Sequence, residues 1–508
     1  MKALRNANTS DYLTTGYGLK KIVHQDSEGD TYSKIVTYSW PLIRLSELYL
    51  NYAEALNNLG VILKITGKYD LALSKFNKAL HLKPNYAEAY NNKGNLLKKI
   101  CDKEAAIVAF KKAIRLKPDF AEAQNNLGVI LTEIGKPEEA VNYLREALKI
   151  NPKYAEALNN LGVALKNNGE LEKAIVAHKE ALKIQENYAD AHLNLSFAYL
   201  NSGKLKQGLT EYEWRWKTPK GIESQRNFIK PTWDGEANLK NKRILIWSEQ
   251  GIGETLNWSP YLRILSNLAD HCILECKPKL IPLLTRSYPT IEVRAEDKNQ
   301  NSLRNDFDYQ LPLGSLVRYL SSKISKKDLE SVFLAPDPET IQYWKDRLMR
   351  IGAGPYVGIS WKSSNQSADR LFDSTNVANW SPIFGKSSAT FINLQYQDFD
   401  EDLNTIKTLF GTTVHNFVEL DHYNDICNVS ALCAALDCVV STKLSVPFIS
   451  AGVGTPTHLA IWRQSPSNNP LLNPNGQSVE MYARNTWESW DNVFCKIATK
   501  ISSLQYGR

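Results

Sequence analysis

The stretch NYAEALNNLGVILKITGKYDLALSKFNKALHLKP, residues 51–84, decides the fold of the first half of the chain. NYAEAYNNKGNLLKKICDKEAAIVAFKKAIRLKP follows at 85–118, and three more stretches of 34 residues continue the pattern to residue 220 without an insertion. A repeat of this length predicts a stack of helix pairs, because each unit can bury its apolar side only against its neighbours. The first half is therefore predicted to be an α-solenoid.

Small residues recur at fixed positions of each unit, where two helices would cross closely or the unit would end. They are Gly60, Gly94, Gly128 and Gly162 on the first helix, Ala72, Ala106, Ala140 and Ala174 on the second, and Pro84, Pro118 and Pro152 at the close. The fifth unit departs from this pattern, as expected of a capping unit. The pattern resembles the tetratricopeptide (TPR) repeat, which implies a superhelix at 51–220 whose concave face binds a protein or peptide.

One asparagine stands at the same register in every unit. The five are Asn58, Asn92, Asn126, Asn160 and Asn194. A primary amide offers both a donor and an acceptor, so a ladder of them could hold a peptide backbone without reading its side chains. The TPR superhelix of O-GlcNAc transferase looks similar at this register. In the alternative interpretation each amide only bonds the neighbouring helix.

The residues before the first repeat follow another pattern. Residues 14–56, above all WPLIRLSELYLNYAEAL at 40–56, resemble the carboxy-terminal part of the SusD-like outer-membrane lipoproteins of starch-utilisation systems. Pro41 suits the first turn of a helix, and Leu45, Leu48 and Tyr52 would share one face of it. Residues 1–50 are therefore predicted to be an amino-terminal extension with a capping helix, and no glycan binding is inferred from the resemblance.

Short apolar runs separated by helical segments follow a linker predicted at 221–239. The runs RILIWS, CILEC, TIEVRA, YVGISW, TFINLQY, DCVVST and THLAIW are typical of buried parallel strands. This is an α/β pattern, divided into two lobes at 240–335 and 336–508. The amphipathic stretch RNTWESWDNVFCKIATKIS predicts a carboxy-terminal helix, and the family resemblance of the segments described next implies that this helix braces the first lobe.

Three segments carry a second family resemblance. PTWDGEANLKNKRILIWSEQGIGETLNW, DFDYQLPLGSL and YVGISWKSS look like a domain found behind TPR arrays in bacterial proteins, similar to GT-B glycosyltransferases of the heptosyltransferase type. The resemblance implies two Rossmann-like lobes and transfer of a sugar from a nucleotide-sugar to an acceptor hydroxyl. Gly251 and Gly253 do not form a dinucleotide fingerprint, because Leu256 stands where a third glycine is needed.

The resemblance implies a catalytic carboxylate in this glycine loop. The matching loop of the related enzymes ends in an aspartate near the acceptor, and Glu254 occupies that place here. A carboxylate there could take the proton from the attacking hydroxyl, which contributes ~10²–10⁴-fold to the rate. In the alternative interpretation Glu254 only stabilises the first turn of a helix through the helix dipole.

Cationic and small side chains supply the expected donor-binding set. It comprises Gly251, Gly253, Lys362, Ser363, Ser364, Arg370 and Lys443. Backbone N–H groups and cations hold a diphosphate, although the loop SWKSSNQSADR could equally be a solvated polar loop. The sequence departs from the related domains where they carry Asp, Thr and His, because Lys443, Leu444 and Phe448 stand at those positions.

The composition argues against several classes of function. The net charge of +7 is not gathered into basic blocks, so nucleic acid is not expected. No apolar run reaches the 18 residues of a membrane span, and a cytoplasmic protein is expected. The seven cysteines show no spacing typical of a metal site, and no cofactor is expected beyond a nucleotide-sugar as co-substrate. Two functions stay open: an inverting, metal-independent glycosyltransferase, or a non-catalytic TPR scaffold with a degenerate transferase domain.

Overall fold

The chain divides into two compact units, Met1–Ala164 and Leu165–Arg508. The computed structural model describes residues 40–297, 304–325, 332–362, 375–386, 388–397, 399–462, 478–484 and 488–504. The sites predicted at Ser363, Ser364 and Arg370, and the segment before Trp40, lie outside these residues.

Five helix pairs form the repeats, as the 34-residue period predicts. The helices are α1 (Trp40–Ile65), α2 (Tyr69–Leu82), α3 (Ala87–Lys99), α4 (Lys103–Leu116), α5 (Ala121–Glu133), α6 (Pro137–Ile150), α7 (Ala155–Asn167), α8 (Leu171–Ile184), α9 (Ala189–Asn201) and α10 (Leu205–Tyr212). The first helix is about twice as long as its counterparts because it begins at Trp40, upstream of the first repeat. The predicted capping helix and the first helix of the array are thus one element.

Glycine lets the two helices of a pair approach closely. A Cβ built on Gly94 would lie 2.6 Å from Cε1 of Phe110, and one built on Gly60 would lie 2.7 Å from Cε1 of Phe76. Both phenylalanines are fully buried. Any side chain at these glycines would displace an aromatic ring from the centre of the pair. The close crossing predicted at these glycines is confirmed.

The segment after the fifth pair packs against the first sheet. A 3₁₀ helix, Glu213–Lys217, leads into α11 (Pro219–Ser224). Within the predicted linker, Trp233 is buried, and Thr232 forms an isolated parallel β-bridge with Gln310. Residues 221–239 therefore connect the repeats to the first sheet and also pair with one edge of that sheet.

The first sheet is parallel, with the order β3-β2-β1-β4. Its elements are β1 (Arg243–Trp247), α12 (Ile252–Trp258), α13 (Tyr261–Ser266), β2 (His271–Cys276), α14 (Ile281–Ser287), β3 (Glu292–Ala295), β4 (Tyr309–Pro312) and α15 (Leu313–Leu320). A short 3₁₀ helix, Pro278–Leu280, precedes α14. Leu245 of the central strand pairs with Ile273 and Gln310.

The second sheet is parallel too, with the order β10-β9-β8-β5-β6-β7. Its elements are α16 (Pro338–Met349), β5 (Tyr356–Ser360), a 3₁₀ helix (Val377–Trp380), α17 (Ser381–Lys386), β6 (Thr390–Asn393), α18 (Asp400–Phe410), β7 (Val414–His415), α19 (Ile426–Ala435), β8 (Cys438–Ser441), α20 (Val446–Gly452), β9 (Thr457–Ile461), β10 (Val479–Ala483) and α21 (Trp490–Ser502). The α/β class is therefore confirmed, with a parallel sheet in each predicted lobe.

All seven predicted strands are present, and three strands were not predicted. The unpredicted strands β4, β7 and β10 lie at sheet edges. An edge strand needs less apolar surface than a central one, so it lacks the continuous apolar run on which the prediction depends. β7 has only two residues, too few for any pattern.

The carboxy-terminal helix packs differently from the expectation. The apolar face of α21 lies in the core cluster of the second sheet, where Phe494 is 4.7 Å from Trp380 between ring centroids. Ile497 and Trp490 belong to the same cluster. The expectation that this helix braces the first lobe is wrong, because its buried face is already used by the second.

One core position of the repeats holds an ionisable residue. His178 stands 34 residues after Leu144 and 68 after Phe110, at the register where earlier repeats place an apolar side chain. It is fully buried, and that burial lowers its pKa to about 3. The imidazole is therefore neutral in the folded chain at any pH near 7.

We predict that His178 makes the chain sensitive to acid. Below pH 6.5 the His178 imidazole is protonated in the unfolded chain, whereas in the folded chain it stays neutral down to about pH 3. The free energy of unfolding then falls by about 1.4 kcal/mol per pH unit as the pH drops through that window. His178→Phe, which restores the residue of the first two repeats, should remove this part of the slope in urea unfolding between pH 7 and 4. Parallel slopes for both proteins would contradict the assignment.

Candidate functional site

A cavity of about 160 Å³ lies at the carboxyl ends of strands from both sheets. It is lined by Gly251, Ile252, Gly253, Glu254, Lys277, Tyr396, His422, Tyr423, Ile426, Leu444, Ser445 and Phe448. Most of these residues follow β1, β2, β6 or β8. Parallel α/β sheets bind their ligands at this edge, so this cavity is the candidate small-molecule site of the second unit.

The two glycines after β1 serve close packing. A Cβ on Gly253 would lie 2.7 Å from Cδ2 of Phe448, so this glycine lets α12 approach α20. A Cβ on Gly251 would lie 2.7 Å from Oε2 of Glu254, because that carboxylate folds back over the loop. Both glycines line the cavity, and Phe448 occupies the space next to Gly253.

A different glutamate of this loop is the buried one. The Glu249 side chain is 2% exposed, and its carboxylate accepts hydrogen bonds from Arg215 Nη2 at 3.1 Å and from the Gly314 N–H at 3.1 Å. Arg215 also donates to Ser315 Oγ at 2.8 Å. Burial raises the pKa of Glu249, and the adjacent guanidinium opposes that rise. The contact ties the glycine loop to the 3₁₀ helix after the fifth repeat.

We predict that Arg215→Met destabilises the second unit by about 3–5 kcal/mol, because it leaves the Glu249 carboxylate buried without its counter-charge. Urea unfolding followed by tryptophan fluorescence measures the loss. Arg347→Met is the matched control, since Arg347 pairs with Glu419 at 3.3 Å near the surface, where an ion pair contributes at most about 1 kcal/mol. Equal losses in the two variants would show that Arg215–Glu249 is not the structural contact described.

Glu254 lies where a catalytic group could reach a ligand. It is half-buried in the first turn of α12 and shares the cavity with Lys277 and His422. His422 Nε2 is 3.0 Å from the carbonyl oxygen of Asn393, and burial lowers the pKa of His422. The cavity thus brings together a carboxylate, an ammonium group and an imidazole, which are groups that bind or move protons.

Neither of the two lysines predicted for the donor site is among the described residues that line the cavity. The Lys362 ammonium pairs with Asp402 Oδ2 at 2.6 Å, and the Trp361 indole N–H donates to the same oxygen at 2.8 Å. Lys443 is half-buried in the turn between β8 and α20. Within the described part of the chain, the lining of the cavity includes neither lysine, although Leu444 and Ser445 beside Lys443 belong to it.

The lining residues that sequence reasoning missed include Lys277, Tyr396, His422 and Tyr423. Lys277 directly follows the predicted run CILEC and Tyr396 ends the predicted run TFINLQY, so their positions were available as a signal. His422 and Tyr423 come from a loop without any periodic pattern. Tyr423 also joins the two sheets, because the Lys279 ammonium lies 3.6 Å above its ring centroid and donates to its carbonyl oxygen at 2.7 Å.

The asparagines of the repeats form hydrogen bonds between neighbouring units. The side-chain N–H groups of Asn92, Asn126 and Asn160 donate to Oδ1 of Asn57, Asn91 and Asn125, at 3.0, 2.9 and 2.9 Å respectively. The three acceptors are buried. Asn58 is exposed and accepts from Asn57 at 3.4 Å, and Asn194 is half-buried in α9. The structural interpretation of the ladder therefore holds for its donor side.

The side-chain oxygens of the same asparagines do not form such hydrogen bonds with the described residues. Asn92, Asn126 and Asn160 are half-buried, and no described residue donates to their Oδ1 atoms at hydrogen-bond distance. Each amide is held rigid through its nitrogen by a buried partner. The first unit thus presents side-chain carbonyl oxygens at one register of successive first helices.

Family models match the amino-terminal part of the chain. A SusD family model matches residues 4–78. TPR models match residues 60–100 and 130–169, 87–120 and 155–188, and 109–142. The helical repeats are tetratricopeptide repeats.

Similar proteins cover parts of the chain. Protein FlbA of Caulobacter vibrioides is 28% identical over 287 residues, 53% of this chain and 48% of FlbA, so the chain spans about half the length of that relative. The TPR protein YrrB, described as having an unusual peptide-binding site, is 25% identical, with 32% of this chain and 84% of YrrB covered at a TM-score of 0.28. TTC0263, a thermophilic TPR protein in Thermus thermophilus, is 26% identical, with 34% of this chain and 94% of that protein covered at a TM-score of 0.30.

Metal binding and membrane crossing find no support in the described part of the chain. Among the described residues, no group of three or more His, Cys, Asp or Glu side chains is arranged to hold a metal ion. No helix within the described ranges combines the length and the apolar character needed to cross a membrane.

Proposed function

We propose that the TPR repeats bind an extended polypeptide through its main chain. The observation that supports this is the set of rigid side-chain oxygens on Asn92, Asn126 and Asn160, which face no donor from the described residues. A peptide N–H group is the donor that such an acceptor lacks. One acceptor in each of the second, third and fourth repeats suits a chain that runs along the array.

The charged groups near the ladder favour main-chain recognition over side-chain recognition. Lys98 pairs with Glu133 at 3.1 Å, and Glu122 accepts from Asn91 at 2.9 Å. The charges of Lys98 and Glu133 are matched within the repeats, so this pair offers a ligand little net attraction of one sign. The ligand is then selected by its extended backbone more than by its charge.

We predict that Asn126→Ala weakens peptide binding clearly more than Asn91→Ala does. Both variants break the Asn126–Asn91 hydrogen bond, so both should lose about 0.5–1.5 kcal/mol of stability. Only Asn126→Ala removes the groove oxygen. Binding to an array of unrelated 15-residue peptides measures the first effect, and urea unfolding measures the second. Equal peptide binding by the two variants would remove the oxygen from the recognition mechanism.

Sugar transfer in the α/β cavity is the second candidate function. Glu254, Lys277 and His422 around one cavity favour it, with Glu254 as the base that takes the proton of an acceptor hydroxyl. At about 160 Å³ the cavity is smaller than the ~300–1,000 Å³ of typical ligand pockets. A donor would therefore need the sheets to separate at the Lys279–Tyr423 contact, and a degenerate domain in a TPR scaffold is the competing explanation.

We predict that, if this candidate is right, Glu254→Gln lowers sugar transfer by ~10²–10⁴-fold and leaves donor binding unchanged. A panel of nucleotide-sugars in a thermal-shift assay measures binding, and transfer of a radiolabelled sugar measures turnover. Glu419→Gln, an exposed carboxylate paired with Arg347, is the control. No thermal shift with any donor would leave the scaffold as the function of this unit, and full transfer by Glu254→Gln would rule out Glu254 as the base.

A further inference from the structure

The first helix exposes apolar side chains that later repeats bury. Ile62 is 57% exposed, whereas Leu96, Ile130 and Ala164 at the same register are each 0% exposed. Leu59 is 40% exposed, whereas Leu127 and Leu161 at its register are 0% and 9% exposed. At the register of Ile62 the residue is apolar in each of these repeats, whereas Lys93 stands at the register of Leu59 in the second repeat. The Ile62 register therefore indicates that the first repeat lacks a neighbour that the others have.

The missing neighbour can be identified from the second repeat. Leu96 packs in one cluster with Ala72 and Phe76, which belong to the second helix of the preceding repeat. Ile62 stands where Leu96 stands, one repeat earlier. Whatever covers Ile62 must therefore take the place that α2 takes beside α3.

A groove between α1 and α2 lies beside the face of α1 that carries Leu59 and Ile62. A cavity of about 600 Å³ is lined there by Tyr52, Leu56 and Leu73, with polar groups around them. Tyr52 is 55% exposed, whereas Tyr86 and Phe120 at the same register are half-buried. Leu56 is 4% exposed and lies one turn from Tyr52 and one turn from Leu59 on α1, so the face and the groove are neighbouring parts of one surface.

We propose that the chain's own residues 4–39 cover this surface. Thirty-nine residues precede Trp40, and α2, the element that covers the equivalent face of the next repeat, has only 14. The SusD family model matches residues 4–78 in one stretch, which joins this segment to both helices of the groove. The segment carries apolar residues, among them Leu19, Ile22 and Val23.

Covalent attachment favours this occupant over a second copy. A tethered segment meets its own groove at an effective concentration in the millimolar range, far above that of another chain in solution. The proposal concerns the end of the array and does not depend on how the repeats bind a polypeptide.

Photo-crosslinking in the full chain tests the proposal. A photoreactive p-benzoylphenylalanine at Ser74, an exposed residue of the groove, should form an intramolecular crosslink to a peptide within residues 4–39. The same group at Val108, the exposed equivalent one repeat later, should not. A crosslink between two chains, or no crosslink from position 74 to residues 4–39, would overturn the proposal.

A pair of surface substitutions gives an independent measurement. Ile62→Ser should lower the melting temperature of the first unit by about 2–4 °C, because a covered apolar side chain is lost. Ile65→Ser is the matched control, since Ile65 is 73% exposed on another face of the same helix, where later repeats carry Lys99 and Glu133. Equal melting temperatures for the two variants would show that the face is open to water.

Discussion

The second unit depends on one carboxylate that has almost no contact with water. Glu249 leaves the end of β1 and meets Arg215 from the 3₁₀ helix after the fifth repeat. Removing a charge from water costs several kcal/mol unless a counter-charge and hydrogen bonds replace the lost solvation. Arg215 and the Gly314 N–H provide that replacement. The loop at 248–254 is therefore held in place partly by a residue that the repeat region contributes.

This constraint explains why the cavity in the α/β unit has its shape. The loop fixed by Glu249 carries Gly251, Gly253 and Glu254 to the carboxyl edge of the sheets. Phe448 packs against Gly253 from the opposite sheet, and the Lys279–Tyr423 contact closes another side. The cavity is small because both sheets contribute bulky side chains to it. An enzyme with this site would have to open it, whereas a scaffold would not.

Local patterns predicted most of the fold but little of the site. The 34-residue period predicts the helix pairs, and apolar runs such as RILIW predict the central strands, because both depend on side chains that must be buried. The same patterns pointed to Glu254 and not to Glu249. The sequence of the loop does not show which of its two glutamates forms the ion pair with Arg215, 34 residues before Glu249. Lys362 was expected near a phosphate, yet Asp402 on α18 takes its charge. Such pairings depend on tertiary contacts between distant residues.

In the proposed binding mode the asparagine ladder serves both structure and binding. The amide nitrogens of Asn92, Asn126 and Asn160 join successive repeats, and this fixes the direction of their oxygens. Preorganised acceptors bind with less loss of side-chain entropy than mobile ones. The two interpretations of the ladder are therefore compatible, with the donor side structural and the acceptor side left for a ligand.

The most direct measurement compares the affinity of one peptide selected from a random library with that of the same sequence methylated at its backbone nitrogens. The account predicts that methylation at the contacted positions weakens binding at least tenfold, a change equivalent to about 1.4 kcal/mol, while alanine substitution of the peptide's side chains has a smaller effect. Unchanged affinity after backbone methylation would contradict the claim that the repeats read the main chain.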